Sequence, residues 1–229
     1  MRCSLFGKLP AKRDFIAILS PRVFLDVWEP WMQSSISASR QELDRDWQQA
    51  FLTAPIWRFW LGAEICRAPV AGALMSSMDG VGRYHPLTLF AMADPGTPIP
   101  PPDLDAQDAW YAAAEDFLLS TLDKDTAFDT ITAALDQLPP PASRPTNVLA
   151  DGIMLVRDGT VAAATAGRSF IDVCEDLRTA NHASTYAAAS FWWTLGGDDY
   201  AAQALCCRGM PDPFLFANML TGRFNPATA

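Results

Sequence analysis

Apolar positions recur along this chain with two different periods, and the switches between them mark out its elements. Phe24, Val27, Trp28 and Trp31 fall three and four residues apart and form one helical stripe. Pro30 interrupts that stripe and is expected to kink or restart the helix, because proline removes an internal hydrogen bond. Ser39-Arg-Gln-Glu42 has the spacing of a capping box, after which Leu43, Trp47, Ala50 and Phe51 share a face, so a second helix is expected to begin there. The pattern then changes. Residues 56–61, 70–76 and 87–92 are short runs rich in branched and aromatic side chains, separated by Gly or Pro. They predict three strands in an antiparallel meander.

Two proline-rich stretches, 94–103 and 139–145, hold nine of the eighteen prolines. They can continue neither helix nor ladder and are expected to act as linkers. Between them, Trp110, Ala113, Phe117 and Thr121, then Phe128, Ile131, Leu135 and Leu138, recur at helical spacing around a break at Asp123-Lys-Asp125. A helical hairpin is predicted. It is acidic: residues 105–138 carry one Lys against eight Asp and Glu. Farther on, residues 152–156 and 160–165 flank the turn signal Arg157-Asp-Gly159 and read as a β-hairpin. Ser169 is placed to cap a helix that shows Ile171, Cys174 and Leu177 to the core. Two more strands are expected at 188–194 and 202–207. Asp212-Pro213 then opens a last helix carrying Phe214, Ala217 and Leu220. Strands and helices without regular alternation predict an α+β fold, a layered, mixed but mainly antiparallel sheet flanked by helices, with the acidic helical hairpin between the two Pro-rich linkers. Residues 1–229 are expected to form one domain, with 105–138 as a submodule.

Composition narrows the function classes. Half of the residues are hydrophobic, with eight Trp and thirteen Phe, enough for a core without disulfide or metal. A formal charge of −9 argues against nucleic acid as a partner, since phosphate attraction needs a basic surface. Cys3, Cys66, Cys174, Cys206 and Cys207 show no C-x-x-C spacing and no neighbouring histidine pair. They are read as buried, reduced thiols. Charges at Lys8, Lys12, Arg13 and Asp14 leave no apolar leader, and the longest uncharged stretch, 179–197, is too polar to span a bilayer. A cytoplasmic protein without membrane insertion is expected.

Two segments concentrate candidate chemistry. Gly7-Lys8 lacks the framing glycines and the hydroxyl of a phosphate-binding loop, because Leu9 follows. Pro10 stiffens a turn on which Lys8, Lys12, Arg13 and Asp14 form either a polar recognition edge or a solvated strand-to-helix connection. In the stretch from Ser76 to Leu89, Gly80 and Gly82 permit positive φ and allow Asp79, Arg83, Tyr84 and His85 to point one way. Three readings stay open. The loop is a structural turn with Asp79 paired to Arg83, a partner-binding loop, or a ligand or catalytic site in which Arg83 clamps a carboxylate or phosphate. No nucleophile with a supporting base is evident, since Ser76 and Ser77 lack a G-x-S-x-G setting and His182 is distant in sequence. Of Trp192 and Trp193, adjacent on a strand, one is expected in the core and one against a second layer or a partner.

Gly7-Lys8-Leu9-Pro10 with Asp14-Phe15, the Trp28 and Trp31 helix, Val81-Gly-Arg-Tyr84 with Pro86-Leu-Thr88, and Trp192-Trp193 follow one another in an order and spacing that resembles the TagF/ImpM-like family of type VI secretion-associated proteins. The resemblance implies a cytoplasmic accessory protein, a regulator and not an enzyme, that acts after translation to repress assembly or firing of the secretion apparatus. It implies as partner a scaffold carrying a forkhead-associated domain, which the repressor sequesters, and a link to a phosphorylation pathway. Some members are fused to a serine/threonine phosphatase, which is expected to be a separate protein here. Arg13 stands where glycine is expected and His85 where an aromatic such as Phe is usual, departures that bear on partner specificity. No catalytic residue, cofactor or metal ligand is carried over.

On this reading Lys8, Pro10, Asp14, Asp79, Gly82, Arg83 and Tyr84 meet the partner. The alternative is a small-ligand sensor or enzyme built on the 79–85 loop, and a third reading is a structural subunit of the secretion machine. The acidic hairpin is a further candidate surface.

Overall fold

The computed structural model describes residues 1–143, 152–165, 167–197 and 199–224. The three apolar runs pair as a meander of β3 (Trp57–Leu61), β4 (Val70–Met75) and β5 (Leu87–Met92). The N-terminal segment adds β1 (Cys3–Gly7) and β2 (Ile16–Ile18) alongside β5, and β8 (Ala189–Thr194) with β9 (Gln203–Arg208) extends the other side from β3. The result is an antiparallel sheet of seven strands, ordered β2-β1-β5-β4-β3-β8-β9. The loop after Gly7 therefore joins two strands and not a strand to a helix. Helices are α1 (Arg22–Leu43), α2 (Trp47–Thr53), α3 (Ala63–Cys66), α4 (Asp108–Ser120), α5 (Phe128–Gln137), α6 (Phe170–Ala180), α7 (His182–Thr185) and α8 (Leu215–Thr221). The predicted hairpin after residue 151 is a separate two-stranded sheet, β6 (Ile153–Leu155) and β7 (Val161–Ala163). The α+β architecture agrees with the sequence.

Helices cover both faces of the large sheet, so its central strands are apolar on both sides and read as continuous runs. In β3, Trp57, Phe59 and Leu61 join one core while Trp60 joins the other. The first core lies under α1, α2 and α8 and is built from packed aromatic rings. Phe24 meets Phe90 at 3.8 Å between centroids, Trp28 meets Phe59 at 4.8 Å, and Trp31 meets Trp192 at 5.0 Å. Opposite Phe59, Gly72 leaves room for the ring, which covers the glycine. The second core lies under α4 and α5, where Trp110, Tyr111, Phe117, Ile131 and Leu135 meet Leu5, Trp60, Leu87 and Leu89. Trp192 is buried in the first core and Trp193 packs on Tyr111, as their alternation predicts.

The acidic hairpin forms as α4 and α5, and one of its acids has a structural task. Arg58 is 3% exposed and donates to both carboxylate oxygens of Glu115, at 2.7 and 3.0 Å. This bidentate pair ties α4 to the sheet. The proline stretches also dock. Trp60 Nε1 donates to the Ile99 carbonyl at 3.1 Å and Trp110 Nε1 to that of Pro139 at 3.0 Å. They are straps more than linkers, although residues 144 and 145 of the second lie outside the described residues.

Several local expectations are overturned. α1 runs unbroken through Pro30, which sits on its exposed side where water can serve the carbonyl left unbonded. Ser39 lies inside α1 and caps nothing, because its hydroxyl donates to the Ile36 carbonyl and accepts from Trp47 Nε1 at 2.9 Å. The chain breaks instead at Asp44, which has a positive φ of 42°. Ser169 does cap α6, accepting from the Asp172 N–H, yet α6 turns Val173 inward and leaves Ile171 and Cys174 exposed. The small sheet β6-β7, against which α6 packs, covers only a narrow stripe of the helix. Phe214 precedes α8 and is exposed, with Phe216, Ala217, Met219 and Leu220 buried in its place. Of the five free cysteines, Cys3 and Cys66 are buried, whereas Cys174 and Cys206 are exposed.

Candidate functional site

The two motif segments meet. Gly7 ends β1 beside β5 with φ of +133°, and a Cβ there would lie 2.1 Å from the Pro86 carbonyl oxygen, so glycine is required. The next residue, Lys8, is buried and its Nζ donates to Asp79 Oδ2 at 2.9 Å, across 71 residues of sequence.

The β4–β5 connection folds around Asp79, whose side chain is fully enclosed. Its Oδ1 accepts from the backbone N–H groups of Val81 and Arg83 at 3.1 and 2.9 Å. Its Oδ2 accepts from Lys8 and from Arg83 Nε, the latter at 2.6 Å. Gly82, at φ of +84°, closes the loop by donating to the Asp79 carbonyl at 2.9 Å. Two bonds then fasten this loop to the first one: Gly80 N–H donates to the Lys12 carbonyl at 2.7 Å, and the Arg83 guanidinium donates to the Arg13 carbonyl. Burial alone pushes the Asp79 carboxyl up. Hydrogen bonds from the Arg83 amide, the Lys8 ammonium, the Arg83 guanidinium and the Val81 amide outweigh it and hold the group well below the usual carboxylate range. Asp79 is the centre of a clasp.

Beside the clasp lies a cleft of about 360 Å³. Lys8, Phe15, Tyr84 and His85 line it from the clasp, and Gln33, Ile36, Ser37 and Arg40 from α1. The α1 residues are spaced three and four apart and so share one helix face. His85 is edge-on to Phe15 at 4.6 Å, and its Nδ1 donates to the Pro86 carbonyl at 2.7 Å. The carbonyl can only accept, so Nδ1 carries the proton and Nε2 is left as an acceptor. Burial pulls the imidazole pKa down to about 4, against the Pro86 carbonyl and with the help of the Lys8 charge. Tyr84 meets Trp47 and Phe51 edge-on, and the Arg40 guanidinium lies over the Trp47 ring at 4.2 Å.

Of the residues expected at a partner surface, Lys8 and Asp79 are buried in the clasp, Pro10 and Tyr84 are half-buried, and Asp14, Gly82 and Arg83 are exposed. Asp79 and Arg83 pair with each other, as the structural-turn reading has it, while Tyr84 and His85 reach the cleft. Sequence reasoning missed Gln33, Ile36, Ser37 and Arg40. Their helical spacing was the available signal, obscured by dividing the helix at Ser39. Among the described residues, no group of three or more His, Cys, Asp or Glu gathers to hold a metal, and no helix is long and apolar enough to cross a membrane.

Comparison with known proteins bears on the same segments. A search of curated proteins returns no match. Among solved structures, the chain is similar to the crystal structure of PA0076 from Pseudomonas aeruginosa PAO1, with a TM-score of 0.80 and 28% identity over 99% of this chain and 97% of that one. Residues 4–138 match the model of the TagF N-terminal domain, described as type VI secretion system-associated. That match spans more than half of the chain and includes both clasp loops, the α1 side of the cleft and the acidic hairpin, and the chain belongs to the TagF N-terminal domain family of type VI secretion system-associated proteins.

Proposed function

We propose that this protein is a cytoplasmic accessory factor that restrains the type VI secretion apparatus after translation, by holding a scaffold with a forkhead-associated domain on the face built from the clasped loops. The observation that carries this reading is the clasp itself. A buried ion pair fixes two loops from distant parts of the chain, and Phe15 and Val81 stand on them 54% and 56% exposed, beside Asp14, Gly82 and Arg83. Apolar side chains on rigid loops with charge around them make a protein-binding surface. Binding and not catalysis is the action proposed, because Asp79 and Arg83 are engaged with each other and His85 Nδ1 with Pro86. A link to a phosphorylation pathway belongs to the same proposal.

The test is capture of the scaffold from native cytosol at moderate salt by tagged wild-type protein and by a Phe15→Ala, Val81→Ser double variant, with secretion measured in cells that overproduce each. Wild type is expected to capture the scaffold and depress secretion, and the double variant to do neither. Equal capture by both would move the interface elsewhere, and capture of no secretion component by wild type would remove the reading.

A further inference from the structure

We propose that the cleft between the clasp and α1 is a receptor for a side-chain carboxylate, presented by an acidic peptide segment of a protein partner. The chain has a formal charge of −9, yet the charged side chains lining this cleft are Lys8 and Arg40, and no Asp or Glu is part of the lining. Two larger clefts among the described residues differ: Asp103 lines one, and Asp46 and Asp199 line the other.

Two cations there hold unspent hydrogen-bonding capacity. Lys8 is 6% exposed and has three N–H donors, of which Asp79 Oδ2 takes one; no second acceptor meets it among the described residues. The Arg40 guanidinium lies over the Trp47 ring at 4.2 Å and has no carboxylate partner among the described residues. A guanidinium placed over a ring and left without an acid suits a carboxylate that binds through both oxygens. Phe15, Ile36 and Tyr84 supply an apolar wall for a neighbouring side chain of the segment, and the Nε2 of His85 is an acceptor for a peptide N–H.

Charge selects carboxylate over phosphate. Asp79 is bonded to Lys8 behind the cleft and is shared with Arg83, and Arg40 is the charged side chain of the lining without an acid partner among the described residues. A phosphate group brings about −1.5 to −2 and would sit near buried Asp79. The assignment rests on reading this face as the docking surface, and it names the chemistry that the docked segment must carry.

The test is an amide NMR titration of the full chain at near-physiological salt with capped tetrapeptides, in which glutamate precedes phenylalanine between two glycines. Counterparts carry glutamine or phosphothreonine in place of the glutamate. The glutamate peptide is expected to give saturable shifts at Phe15, Ser37, Arg40 and His85, and the glutamine peptide none. Arg40→Gln, on an exposed helix position, is expected to weaken binding by roughly tenfold or more. Ser37→Trp, which fills the cleft mouth without changing charge, is expected to abolish it. Equal binding of the glutamine peptide, undiminished binding by Arg40→Gln, or tighter binding of the phosphothreonine peptide would each overturn the assignment. Scaffold capture alongside an unresponsive cleft would also overturn it and leave the docking face standing. A responsive cleft in a protein that captures no scaffold would support it and remove the docking reading.

Discussion

Replacing His85 by Phe probes whether the imidazole is truly held neutral against the clasp. His85 is 9% exposed, edge-on to Phe6 and Phe15, and burial brings its pKa from 6.5 to about 4. Because the folded value lies below the unfolded one, the unfolded chain binds the extra proton across that interval. Stability therefore falls as pH drops from about 6.5 towards about 4. Well inside the interval the loss is about 1.4 kcal/mol per pH unit, and between pH 7 and pH 5 it integrates to about 2 kcal/mol. Phe keeps both ring contacts and gives up the bond to the Pro86 carbonyl, about 1 kcal/mol at neutral pH. Urea unfolding of wild type and His85→Phe at pH 7, 6 and 5 reads the effect as a difference of differences, in which the other titrating groups cancel. The variant is expected to be slightly less stable at pH 7 and to match or exceed wild type at pH 5. Parallel pH profiles would refute a buried neutral imidazole.

Lys8→Met removes the only charge that reaches Asp79 from the first loop while leaving Arg83 Nε and two amides on it. Breaking a buried pair in a chain of this size is expected to lower Tm by roughly 5–10 °C in calorimetry, and an unchanged Tm would show that the pair contributes nothing. Gly72→Ala places a Cβ 2.3 Å from the buried Phe59 ring and 2.6 Å from the Leu89 carbonyl oxygen, and the ring has no space to retreat into. A loss of roughly 1–3 kcal/mol is expected in urea unfolding, and a neutral outcome would mean that the two strands can part locally.

What could be read in advance follows the range of the interactions. β5 was predicted residue for residue, and β3, β4 and β8 within one residue at an end, because covered sheet faces leave dense apolar runs between Gly and Pro. The Asp79–Arg83 pair was legible as well, four residues apart on a glycine-rich turn. Lys8 with Asp79 was not, since it depends on Gly7 facing Leu87 in the register of β1 on β5. The mistaken helix start at Ser39 has a similar cause. A local signal was correct in form, but Trp47, closing over the hydroxyl from the next helix, took the bond that a cap would have used.

The clasp also separates two demands that a motif in sequence presents together. Gly7, Lys8 and Asp79 answer to packing: one admits the Pro86 carbonyl, and the others neutralise each other where water is excluded. Phe15, Val81 and Arg40 answer to no comparable constraint, since the first two are more than half exposed and the third stacks on a ring without an acid partner. Recognition therefore falls to residues whose loss leaves the fold intact, while the buried pair acts on recognition only by holding the two loops in one geometry. On that logic Lys8→Met lowers Tm and scaffold capture together, whereas Phe15→Ala with Val81→Ser lowers capture with a smaller fall in Tm. Capture that survives Lys8→Met despite a lower Tm would mean that the loops bind independently, and the clasp would then be a device of stability alone.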